Sequence, residues 1–327
     1  MKNPVCIWIL IFSVWSCSPR RHQARLVLLP DTQTYAEKYP DILQAQVNWL
    51  LREKKNIQLV LQQGDLTQNN NDAEWTVVRD AFRKLDNEIP YVLAAGNHDM
   101  GSLPGKFADV RNTTLFNRYF PFGEMSKLPA FGGAYESGIM DNAYYLFQTG
   151  KIKWLVFTLE FGPRNKVLDW ADAVAKRFPD RVIMLNTHSY MYSDSTRQGP
   201  GDNWRPQNYG VGKDTGDESV NDGEDIWRKL VKKHWNFRFV FSGHVLNTGV
   251  GTLVSINEDG YPVYQMLANY QEGVKGSVNG GNGLLRILDM DLRKKTVLVR
   301  TYSPFTDQYL SAEDHNFLIR NVIYAAH

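Results

Sequence analysis

An α/β fold in which a mixed β-sheet is paired with a second sheet is predicted by three features of the sequence. Short apolar, β-rich runs alternate with amphipathic helical stretches from Arg25 onward. The last part of the chain supplies strands with no helices between them, and no Pro-rich or Ser-rich linker or repeat period breaks the pattern.

The elements follow in order. Arg25–Leu29 is apolar enough for a buried strand, and Asp41–Lys54 places Leu43, Val47, Leu50 and Leu51 on one helical face. Ile57–Leu61 returns to strand, followed by a helix near Asp72–Leu85 and a strand at Tyr91–Ala94. Strands are predicted at Tyr144–Phe147 and Lys153–Leu159, then a helix at Val167–Phe178. The pattern repeats with strand Arg181–Asn186, helix Glu224–His234 and strand Phe237–Ser242. Val263–Leu267, Leu284–Asp289 and Thr296–Thr301 close the chain as strands. This order favours paired sheets over a barrel, in one domain over residues 25–327. Met100–Asp141 and Ser193–Gly223 are irregular, and stretches of that length inside a domain usually serve function.

The chain has 327 residues, 43% hydrophobic and 22% charged, so it can bury a sizeable core and disorder is excluded as its main state. Lys plus Arg number 37 against 35 Asp plus Glu, and the resulting +2 provides no global field for nucleic acid. Both cysteines, Cys6 and Cys17, lie at the N-terminus, which excludes thiolate metal sites, disulfides and cysteine nucleophiles from the body. Residues 1–17 carry Lys2, an apolar run from Val5 to Trp15 too short to span a bilayer, and Ser16 before Cys17. That is the order of an export signal. Its ending resembles a bacterial lipoprotein signal in which a lipidated Cys17 anchors the chain to a membrane; a plain secretory signal is the alternative. Residues 18–24 would be a tether. The expected location is exported, periplasmic or membrane-anchored.

Polar clusters follow the predicted strands: Asp31-Thr32-Gln33, Gln63-Gly64-Asp65, Gly96-Asn97-His98-Asp99, Thr187-His188-Ser189 and Gly243-His244. In open α/β sheets ligands gather outside the carboxyl ends of strands, so these residues should converge. Of seven histidines, His98, His188 and His244 directly follow strands. Two carboxylates, one amide oxygen and two imidazoles suit Mn, Fe, Zn or Ni better than Ca or Mg alone. Asp65 is the natural bridge between two cations.

That series resembles the motifs of the calcineurin-like metallophosphoesterases, over about Arg25 to Thr301. The Asp-Thr-Gln start resembles an exported bacterial subgroup. The resemblance implies two mixed β-sheets packed as a sandwich flanked by helices, two divalent or trivalent metal ions, and hydrolysis of phosphomonoesters or phosphodiesters. It implies that Asp31 and Gln33 serve the first metal, that Asp65 bridges, and that Asn97, His188 and His244 complete the second. His98 would stand beside the metals, oriented by Asp99, to stabilise charge or protonate the leaving oxygen. Two departures weaken the first site. Gln33 stands where the family usually has His and offers only a neutral oxygen, and Leu246 stands where it has a second His and offers nothing. Asn69 and Asn247 are candidate replacements that read more simply as turn residues. A purple-acid-phosphatase-like variant is disfavoured because Gln68 falls where that branch has its tyrosine.

Arg164 could fork onto a phosphate and Tyr190, with Tyr192 and Trp204, could stack a substrate, although a solvated Arg and packed aromatics are the plainer readings. The expected function is a metal-dependent phosphoesterase acting on a small-molecule or envelope phosphoester. The alternative is an envelope binding module for a glycan or phosphoester, with little turnover, suggested by Gln33, Leu246 and an aromatic content of 13%.

Overall fold

The computed structural model describes residues 22–324, so the signal segment with Cys17 lies outside the described residues. The first third of the chain is β1 (Gln23–Leu29), α1 (Gln33–Glu37), α2 (Pro40–Glu53), β2 (Ile57–Gln62), α3 (Asp72–Phe82) and β3 (Tyr91–Leu93). Pro40 begins α2, where its missing N–H costs nothing, and Leu43, Val47 and Leu50 are buried as the helical periodicity requires. Asn71 caps α3 by accepting from the Glu74 N–H.

The region 100–141 contains α4 (Thr114–Tyr119), α5 (Phe122–Met125) and β4 (Phe131–Ala134), followed by β5 (Ala143–Thr149), β6 (Ile152–Leu159), α6 (Asn165–Arg177) and β7 (Val182–Thr187). Then come α7 (Gly223–Lys229), β8 (Phe237–Ser242), β9 (Val250–Ile256), β10 (Pro262–Ala268), β11 (Leu285–Asp291), β12 (Thr296–Ser303), β13 (Gln308–Tyr309) and β14 (Asn316–Ile319). The helix expected over Glu224–His234 ends early: fully buried Leu230 leaves helical backbone and a short 3₁₀ turn, Val231–Lys233, follows. β9 was not expected. It is an edge strand, with Val254 and Ile256 exposed, paired antiparallel to β10.

The strands form two mixed sheets of seven. One has the order β13-β12-β11-β1-β2-β3, with β14 also on β12, and its β1, β2 and β3 are parallel. The other runs β4-β5-β6-β7-β8-β10-β9, and its β6, β7, β8 and β10 are parallel. Alternation along β7 shows how the layers stack. Val182 and Met184 join a core that includes Leu26, Val27 and Leu59 of the first sheet, whereas Ile183 and Leu185 pack with Val167 and Ala171 of α6 and Ile226 of α7. Helices α2 and α3 bury Leu43 and Trp75 in the same core as the first sheet. The expected two-sheet sandwich flanked by helices is therefore the fold. Because the parallel strands are covered on both faces, they read as apolar runs, and their chemistry begins only where they end.

Candidate metal centre

The carboxyl ends of parallel strands from both sheets meet at one edge. β1 leads to Asp31 and Gln33, β2 to Asp65, β3 to Asn97 and His98, β7 to His188 and β8 to His244. The approach is close enough to demand glycine. A Cβ on Gly96 would lie 2.1 Å from Asp65 Oδ1, and one on Gly243 would lie 2.0 Å from Asp31 Oδ1. Asp65 and His244 both hold left-handed backbone, with φ of 50° and 72°. Each such residue costs on the order of 1–3 kcal/mol and persists only where surrounding contacts impose it.

One half of the centre is rich in nitrogen. His188 Nε2 lies 3.2 Å from Asp65 Oδ2, 3.0 Å from Asn97 Oδ1 and 3.1 Å from His244 Nδ1. The Asp65, His188 and His244 donor atoms all fall within 4.8 Å of one another. The outer ring nitrogens are committed. His188 Nδ1 donates to the Gln63 carbonyl at 2.9 Å and His244 Nε2 to the Trp204 carbonyl at 2.7 Å. This leaves the inward nitrogens free to ligate, as in a metal-bound histidine whose other ring N–H is held by a carbonyl. The donor set fits a borderline divalent cation.

Charges in the centre are tightly linked. Burial, reinforced by Asp65 against the pull of His188, raises Asp31 to about 8. Burial opposes charge on Asp65 as well, but His188 and His98 outweigh it and hold that carboxyl below its usual range. Burial likewise disfavours His188 cations, yet the Asp65 and Asp31 carboxylates raise the group to about 9. His244 falls to about 3 through burial and the neighbouring His188 charge.

The other half contains only amides and carboxylates. Gln33 Nε2 donates to Asp65 Oδ2 at 3.1 Å and to Gln271 Oε1 at 2.5 Å, while Gln271 Nε2 donates to Asp31 Oδ2 at 2.8 Å. Gln271 was missed in the sequence. No local signal marked it: Gln271 follows β10, and only the parallel pairing of β10 with β8 brings it to the edge where His244 follows β8. Asn69 and Asn247 do not take this place: Asn69 binds Glu74 Oε1 at 2.8 Å, and Asn247, with φ 56°, binds Ser193 Oγ at 2.9 Å.

His98 lies beside Asp65, its Nε2 4.0 Å from Asp65 Oδ2. Its Nδ1 donates to the Gln68 carbonyl at 2.7 Å, and its ring stacks on Phe107 at a centroid distance of 3.9 Å. Asp99 does not orient it. The Asp99 carboxylate instead accepts from the N–H groups of Leu66, Thr67 and Gly96 and from the Thr67 hydroxyl, tying the two motif loops together. Two further expectations are corrected. Tyr190 is fully buried, donating to Gln265 Oε1 at 2.8 Å, so its ring cannot stack a substrate. Arg164 is neither solvated nor free for a phosphate, because its Nε donates to Glu160 Oε1 at 2.8 Å and its Nη1 to Glu218.

The two long connections meet beside the centre, where the Val211 N–H donates to the Ala108 carbonyl. Tyr209 in the second packs on Phe161 and His244 at 5.0 and 6.0 Å.

Comparison with known proteins places the chain in a family. The model of the calcineurin-like phosphoesterase family matches residues 24–247. The uncharacterized protein YvnB of Bacillus subtilis (strain 168) is 30% identical over 295 residues, covering 88% of this chain and 20% of YvnB, so the chain spans about a fifth of that relative's length. Among solved structures, purple acid phosphatase PPD1 from yellow lupin (Lupinus luteus) seeds is similar with a TM-score of 0.54 and 13% identity, over 92% of this chain and 54% of that one. GAP50, the anchor in the inner membrane complex of Plasmodium, is similar with a TM-score of 0.46 and 11% identity, over 92% and 90%. The chain belongs to the calcineurin-like phosphoesterase family of metal-dependent phosphoester hydrolases.

Proposed function

We propose that the protein hydrolyses a small phosphomonoester or phosphodiester in the cell envelope. The observation that carries this reading is the convergence of His188 Nε2, His244 Nδ1, Asp65 Oδ2 and Asn97 Oδ1 on one point. A cation held there would lower the pKa of bound water and polarise a phosphoryl oxygen. The chain's own part is to hold and orient. The Gln63 and Trp204 carbonyls fix both imidazoles, and Asp65 reaches His188 and His98 together. His98 keeps its Nδ1 proton on the Gln68 carbonyl, so its Nε2 is the atom that can carry a proton to a leaving oxygen. With its side chain 16% exposed, it is reachable from solvent. The envelope location rests on the export-signal reading of residues 1–17, with Cys17 as the membrane anchor.

Asn97→Ala and His188→Ala should each lose bound metal and lower hydrolysis of nitrophenyl phosphate and bis-nitrophenyl phosphate by about 10³-fold or more. Parent-like turnover in both variants would refute the assignment. A second reading, a binding module with little turnover, is motivated by the amides that replace imidazoles around Asp31. It predicts negligible hydrolysis by the parent protein with either substrate.

A further inference from the structure

We propose that Gln33 and Gln271 convert the first cation position into an all-oxygen site, completed by Asp31 and Asp65, which takes a hard divalent cation of magnesium or manganese size. The inference rests on the metal-centre reading above and adds Gln271 as a ligand.

The four side chains are buried, Gln33 completely and Gln271 at 9% exposure. Gln271 is held by a fixed loop: its N–H donates to Asn269 Oδ1, the Asn269 N–H to the Gly249 carbonyl, and Ser277 Oγ to the Tyr270 carbonyl. Successive polar atoms in the Asp65–Gln33–Gln271–Asp31 chain lie 2.5 to 3.1 Å apart. Ligands about 2.1 Å from an octahedral cation stand about 3 Å from their neighbours, so this spacing suits a coordination shell as well as a hydrogen-bond network.

What separates the two is Gln33 Oε1. It is buried and has no hydrogen-bond partner, which costs on the order of 1–3 kcal/mol. With the amide turned over, the oxygen faces Asp65 and Gln271 Oε1. That arrangement is repulsive without a cation and ligating with one. Oxygen donors alone favour hard cations, whereas the His188 and His244 nitrogens favour a borderline one, so the two positions should take different metals. Leu246, whose side chain lies near Gly273, offers no donor atom.

The test uses full-length protein stripped by chelator and loaded with one equivalent of Zn²⁺, then titrated with Mn²⁺ by calorimetry and electron paramagnetic resonance. The parent should bind one Mn²⁺ per chain beyond its Zn²⁺. Gln271→Leu should weaken Mn²⁺ at least tenfold while keeping Zn²⁺. Gln271→Glu preserves shape and adds charge, and it should tighten Mn²⁺ at least tenfold. No Mn²⁺ uptake by the Zn²⁺-loaded parent, or unchanged Mn²⁺ affinity in both variants, overturns the proposal. Failure of the parent to take Zn²⁺ at all would instead overturn the underlying metal-centre reading, and the proposal with it.

Discussion

Two buried clusters of charge adjoin one another, joined through Phe161, and they are closed in opposite ways. Around Glu160 the chain supplies its own cations: Arg164 Nε at 2.8 Å, and Arg111 Nη1 at 3.3 Å, with Arg111 also donating to the Phe161 and Gly162 carbonyls. Around Asp31 and Asp65, among the described residues, no Lys or Arg forms an ion pair; neutral amides donate to both, and the imidazoles of His98 and His188 stand beside Asp65. Phe161 follows Glu160 and packs its ring on His188 and His244 at 5.8 and 5.1 Å. The first cluster is complete as folded and anchors the second long connection through Glu218. The second has no Lys or Arg partner among the described residues, and it is where the proposed cation would sit. A buried charge with an internal partner serves the fold, and one without such a partner marks where the ligand goes.

Removing one partner from the closed cluster should have the largest effect on stability. Arg164→Met leaves Glu160 with Arg111 alone and is expected to destabilise by about 3 kcal/mol, near the low end for a broken buried pair. Urea unfolding measures this, and metal content per folded chain should not change. In the open cluster, metal-free protein should lose stability as pH rises. The contribution of Asp31 is fully present below 3.8 and lost as pH rises through about 8. That of His188 is present below 6.5 and lost through about 9. Thermal melts of stripped protein should therefore fall as pH rises from about 4 to 9, most steeply between about 6.5 and 8, where both groups lose their contribution. Cation at about 100 times its Kd should add about 2.7 kcal/mol and flatten the decline. A flat profile for stripped protein would show that the open cluster is already balanced. The smallest effect is expected where neither cluster is touched: Phe107→Leu removes the ring stacked on His98 and should lower kcat/KM by about 2–10-fold, the worth of about 0.5–1.5 kcal/mol. Metal stoichiometry should be unchanged.

The parallel strands and the residues at their ends were legible because each apolar run stops abruptly at a polar motif, as at Leu29 before Asp31 or Thr187 before His188. Gln271 was not, since it follows β10 in a region read as a tail of strands, and a lone amide gives no motif. The parallel pairing of β10 with β8, which brings Gln271 to the same edge, is a property of topology and not of local pattern. Arg164 and Tyr190 were misread for a related reason. A side chain after a strand in an α/β fold can point to the ligand or into the layer behind it, and burial by α6, α7 and the second long connection decided for the latter. Asp99 sits in the expected motif, but the backbone amides of Leu66, Thr67 and Gly96 captured its carboxylate before the His98 ring could.

The hydrogen bond from His244 Nε2 to the Trp204 carbonyl gives a surface connection a hold on an imidazole that would ligate the proposed cation. A carbonyl that draws harder on that proton makes the imidazole a stronger electron donor, and one that recedes makes the bound ion a stronger Lewis acid. Trp204 holds left-handed backbone, φ 58°, in the stretch between Tyr192 and Tyr209. A substrate that shifts this segment on docking would thus adjust the acidity of the centre it is about to meet, and cation binding would bias the segment in return.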